Sequence, residues 1–90
     1  MLQEIVPRRA SLHSDVLHIL FDGASIWVND YSAGRVIKLS AVTGAQVLNL
    51  SVGPLASGLA FDGVNIWVTV QGFNSVMKLD ANTGVVLGSY

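Results

Sequence analysis

The stretch FDGASIWVND, residues 21–30, returns as FDGVNIWVTV at residues 61–70, a spacing of 40 (61 minus 21). Extending the match without a gap pairs residues 21–50 with 61–90. It gives 12 identities in 30 positions: Phe, Asp, Gly, Ile, Trp and Val, then Val, Lys, Leu, Ala, Thr and Gly. A fixed period in this range marks a repeat whose unit cannot bury its apolar surface alone. Within each copy, short β-branched or aromatic runs such as Ile26-Trp27-Val28 and Val36-Ile37-Lys38-Leu39 are separated by Asp22-Gly23 and Thr43-Gly44, residues that favour tight turns. Strands are expected at 16–22, 25–30, 35–40 and 45–51, and again at 56–62, 65–70, 75–80 and 85–90. The short connections leave no room for helical crossovers, so the strands must run antiparallel to their neighbours.

Side chains alternate sides along a strand. Ile26 and Val28 therefore face one way and Trp27 the other, as do Ile66, Val68 and Trp67 in the second copy. Both faces of each sheet are apolar, whereas a two-sheet sandwich covers only one. Radially stacked four-stranded sheets cover both.

Composition narrows the functional classes. The 90 residues are 51% hydrophobic and 12% charged, with a mean hydropathy of +0.54, so much apolar surface has to be covered in a short chain. No run approaches the roughly 20 apolar residues of a membrane helix, and no membrane partner is expected. The formal net charge is −1 and only Arg8 and Arg9 are adjacent cations, which argues against a nucleic-acid partner. Those arginines follow Ile5-Val6-Pro7, the reverse of the order in a secretory signal, so no export segment is expected. The chain has no cysteine, hence no disulfide and no thiolate metal site, a fact that leaves the compartment open.

The series FDG-x-x-IWV, V-x-KL, TG and VG-x-x-x-x-G-x-AFDG, the last at Val52 to Gly63, resembles the bacterial β-propeller repeats of the YVTN and NHL type over residues 16–90. That resemblance implies an all-β fold of blades with about forty residues each, six or seven per ring in most members. It also implies activities ranging from pure binding to lyases and lactonases. The chain divides accordingly into residues 1–15, a leader or outer-edge strand, residues 16–55, blade 1, and residues 56–90, blade 2. Two blades fall short of the about four that closure needs. The fold class expected is thus two four-stranded antiparallel propeller blades that complete a six-bladed, or eight-bladed, β-propeller by oligomerisation. The partner is the chain itself, a homotrimer in preference to a homotetramer.

No catalytic constellation is legible. Trp27 and Trp67 read as packing between blades rather than as a sugar-stacking pair. Asp22 and Asp62 each precede a turn glycine and read as turn formers, and the stems of Lys38 and Lys78 as lying along the blade with their ammonium groups in water. Asp80 and Asn82 lack the further oxygen ligands of a calcium loop. His13 and His18 lack zinc spacing, no Gly-x-Ser-x-Gly occurs, and no metal or other cofactor is expected. The copies differ at every position between Asn29–Arg35 and Thr69–Ser75, the loop between the second and third strands of each blade. That loop shares a rim with the connection between blades, and loops on one face of a repeat array commonly bind ligands. Asp30, Tyr31 and Arg35, all expected to be solvent-accessible, together with Gln71, Phe73 and Asn74, are the candidate rim residues, and His18 on the innermost strand is a candidate channel residue. These features predict a non-catalytic, self-assembling binding module for a small molecule, glycan or protein. The alternatives are a subunit of a metal-dependent lyase- or lactonase-like enzyme, and a structural, engineered or degenerate fragment without a ligand.

Overall fold

The computed structural model describes residues 16–90; His13, the arginines at 8 and 9 and the expected leader or edge strand at 1–15 lie outside the described residues. Among the described residues, eight strands form two sheets. Strands β1 (Val16–Phe21), β2 (Ser25–Asp30), β3 (Arg35–Ser40) and β4 (Gln46–Ser51) make the first, in that order. Strands β5 (Ala56–Phe61), β6 (Asn65–Val70), β7 (Ser75–Asp80) and β8 (Val86–Ser89) make the second. Every neighbouring pair is antiparallel, and the one helical piece among the described residues is the 3-10 turn Gln71–Phe73. The expected strands hold to within a residue or two, because turn chemistry bounds them sharply.

The repeat extends to irregularities that the residue pattern did not announce. Pairing of β1 with β2 slips between Val16 and Ile19, and that of β5 with β6 slips at the equivalent place between Ala56 and Gly58. A second slip separates Lys38 from Leu39, and its copy separates Lys78 from Leu79. Such bulges bend and twist a strand, so both sheets carry the same local shape and stack with matching contours.

The core lies between the sheets. Trp27 and Val36, from the front of the first sheet, are fully buried against Ile66, Val68, Val70 and Leu79, from the back of the second. Alternation divides the faces: Trp27, Asn29, Val36 and Lys38 point forward, while Ile26 and Val28 point backward and are only half-buried. Their copies on the second sheet show the reverse: Ile66 and Val68 are buried, and forward-facing Trp67 is half-buried. Backbone contact between the sheets centres on β5, which lies against β1 and β2. Farther out, the turn after β7 takes over. A Cβ built on Gly84 (φ +78°) would lie 2.8 Å from Leu50 Cδ1 and 3.1 Å from Leu48 Cδ1, so this left-handed turn sits directly on the leucine ends of β4 and a larger residue would have to push them aside.

Candidate functional site

Two chemistries recur in both sheets. After β1, Asp22 forms a turn in which Oδ1 accepts from the amides of Ala24 (2.8 Å) and Ser25 (2.7 Å), while Oδ2 accepts from the Trp27 indole N–H at 2.8 Å. Asp62 repeats this with Val64, Asn65 and the Trp67 indole, again at 2.8 Å. The turn-former role expected of both aspartates is present, and the indole bond is an addition. It was readable in principle, since Asp and Trp recur together five residues apart. Asp80, the other residue of the discarded calcium reading, accepts from the amides of Asn82 and Thr83 through Oδ1. The charges respond to these donors. The Asn65 amide, the Trp67 indole and the Val64 amide pull the Asp62 carboxyl down to about 2. At Asp22, burial pushes upward but is outweighed by the Trp27 indole, two backbone amides and the Lys38 charge.

On the other side of each tryptophan stands a lysine. Lys38 Nζ lies 5.4 Å from the Trp27 ring centroid, and Lys78 Nζ lies 5.4 Å from that of Trp67. Lys38 does not reach water as expected: it is buried, and Nζ donates to the carbonyls of Ala81 (2.9 Å) and Asn82 (3.2 Å) in the second sheet. The expectation failed because the acceptors are supplied by the neighbouring sheet, 43 and 44 residues along the chain. Asn29 forms a comparable tie nearer the inner edge. Its Oδ1 accepts from the His18 amide at 2.7 Å and its Nδ2 donates to the Ala56 carbonyl at 2.6 Å.

The rim gathers the two variable loops. Tyr31 Oη donates to Gln71 Oε1 at 2.9 Å, joining the β2–β3 loop to the β6–β7 loop. The connection between the sheets runs among them: Gly34 O accepts from the amide of Val52, while the Gln71 and Gly72 amides donate to the carbonyls of Leu55 and Pro54. Phe73 is exposed and its ring crowds Gly53. Asn74 adopts a left-handed conformation (φ 54°), and its amide donates to Gln71 O. Leu55, also left-handed at φ 63°, is a strained position that residue type alone did not suggest.

The candidate residues thus divide. Tyr31, Gln71, Phe73 and Asn74 come together on one rim. Half-buried Arg35 turns toward β4 instead, where its Nε donates to Asn49 Oδ1 and its Nη2 to the Asn49 carbonyl at 3.4 Å. Asp30 corrects the expectation of accessibility: it is buried, and its Oδ1 accepts from the Ala33 amide at 3.2 Å to close the loop. His18 is exposed on β1, with its backbone amide tied to Asn29. Opposite the rim, a groove of about 310 Å³ opens between the sheets, lined by Asp22, Ala24, Phe61, Gly63, Val64, Ala81 and Asn82. No group of three or more His, Asp or Glu side chains able to hold a metal occurs among the described residues. No described helix is long and apolar enough to cross a membrane. No family model matches the chain, and no curated protein matches it.

Proposed function

We propose that this chain is a two-blade unit of the YVTN- or NHL-like kind, which assembles with copies of itself into a closed β-propeller and serves as a non-catalytic binding module. One observation carries the assembly: each end of the sheet pair exposes the counterpart of what the middle buries. Ile19 and Phe21 on the back of the first sheet are 69% and 59% exposed, whereas Leu59 and Phe61, their copies on the second, pack against the core. The forward face of the second sheet, with Trp67, Thr69 and Lys78, has no following sheet among the described residues. A forward and a backward surface of matched type make a head-to-tail contact, and such contacts form rings when the rotation closes. Six blades need three chains and eight need four; three is favoured.

The binding role falls to the rim. Tyr31, Gln71 and Phe73 are polar and aromatic, they differ between copies, and they stand on loops braced by the β4–β5 connection. The ligand class that fits is a sugar, peptide or small polar molecule, engaged by stacking and hydrogen bonding. A thermal-shift screen tests this against the enzyme reading. Stabilisation by a sugar or peptide without added metal, abolished by Tyr31→Ala or Phe73→Ala, supports the binding module. Stabilisation by a divalent metal that vanishes in His18→Ala overturns it in favour of the lyase- or lactonase-like class.

A further inference from the structure

The buried contact between the two sheets supplies a template for the contact between chains. Lys38, held over Trp27, reaches the Ala81 and Asn82 carbonyls in the turn that follows β7. That turn, Ala81-Asn82-Thr83-Gly84, is the copy of Ala41-Val42-Thr43-Gly44. The first is docked, with Ala81 and Gly84 buried; in the second, Ala41 and Gly44 are exposed, and a Cβ on Gly44 would meet nothing within 4 Å. Lys78 already stands over Trp67 at the same 5.4 Å as Lys38 over Trp27. Among the described residues Lys78 Nζ donates to no carbonyl, so half of the latch is built and waiting on one end of the chain. The acceptor turn waits on the other.

We infer that Lys78 latches onto a second copy of this chain, donating to the carbonyls of Ala41 and Val42 of the partner subunit as Lys38 donates to Ala81 and Asn82 within one chain. This rests on the assembly reading and adds to it the register of the junction and the residue that secures it. An ammonium held by a ring face and aimed at two carbonyls forms charge-assisted hydrogen bonds, which are stronger and more directional than apolar contact. It selects one alignment of otherwise similar apolar faces.

The junction between chains is not a plain copy of the one inside. Where β4 offers Leu48 and Leu50 to the Gly84 turn, the aligned positions are Gly88 on β8 and Tyr90 just beyond it. The Tyr90 ring lies 5.9 Å from that of Trp67, beside the latch. Asn29, which ties the sheets at the inner edge, is replaced by Thr69, whose hydroxyl is paired with Ser57 at 2.9 Å. With the inner tie lost and the leucines replaced, Lys78 carries a larger share of the specificity between chains than Lys38 does within one.

The test measures the dissociation constant of the assembly by concentration-dependent light scattering on the full chain, for wild type, Lys78→Met and Ala41→Arg. Far-ultraviolet circular dichroism checks that each variant folds. Lys78→Met removes the donor, and Ala41→Arg, at a position exposed within the chain, sets a bulky cation against the ammonium. Both are expected to raise the dissociation constant by roughly tenfold or more, the loss of a charged hydrogen bond at each junction. A wild type that assembles, with both variants assembling equally well, overturns the latch and leaves the assembly standing. A wild type that remains monomeric overturns the assembly reading and this inference with it.

Discussion

Trp27 is the residue at which most of the forces in this chain meet. Its ring is fully buried between the sheets, its indole N–H is accepted by Asp22, and the Lys38 ammonium lies over its face. Trp27→Ala is expected to cost about 3–5 kcal/mol, measured by urea unfolding at fixed protein concentration. Trp67→Ala, at a half-buried position, is expected to cost clearly less in dilute protein, and the gap should narrow as concentration rises and the second face is covered. Equal effects at every concentration would contradict this. The Asp62 carboxyl provides a pH signature. Its folded value of about 2 lies below the ordinary 3.8, so on acidification the unfolded chain takes up the proton first. Its stabilising contribution is complete above about pH 4 and is lost as the pH falls toward 2. Asp62→Asn, which cannot accept from the indole in the same way, should flatten the urea midpoint over that window. An unchanged pH profile would show that the carboxylate contributes nothing through its titration.

At the scale of the strands and turns, a chain that alternates apolar residues between Asp-Gly and Thr-Gly turns reveals its strands, and all eight were legible. The bulges were not, because slippage by one residue depends on how neighbouring strands twist together. The burial of Lys38 and Asp30 was hidden for a related reason. Lys38 has acceptors a full repeat away, and Asp30 folds back to accept from the Ala33 amide of its own loop. The rim grouping of Tyr31, Gln71, Phe73 and Asn74 followed from antiparallel alternation alone; the departure of Arg35 toward Asn49 required the side-chain geometry. The turn glycines separate local strain from crowding. Gly34 (φ +67°) would set a Cβ against the Gly53 carbonyl, whereas Gly23 (φ +95°) faces open space. Gly23→Ala is expected to cost about 1 kcal/mol for left-handed backbone alone. Gly34→Ala should cost distinctly more, because the β4–β5 connection must also shift. Equal urea midpoints for the two would refute the close packing of the rim.

At the scale of the whole molecule, the sheets are related by a repeat of 40 residues, and the proposed assembly rests on that repeat making one outer face the counterpart of the other. An isolated pair leaves apolar surface at both ends, in keeping with a 51% hydrophobic chain, and proteins seldom leave large apolar patches in water. In the proposed assembly, Trp67, Lys78, Ile19 and Phe21 would do between chains what Trp27, Lys38, Leu59 and Phe61 do within one chain. The most direct measurement is the mass of the folded protein in solution at low micromolar concentration, by light scattering or native mass spectrometry. The expected result is three times the 9.5 kDa chain, a six-bladed ring, with four times as the eight-bladed alternative. A stable, cooperatively folding monomer of 9.5 kDa would contradict the claim that both faces of each sheet are buried between blades.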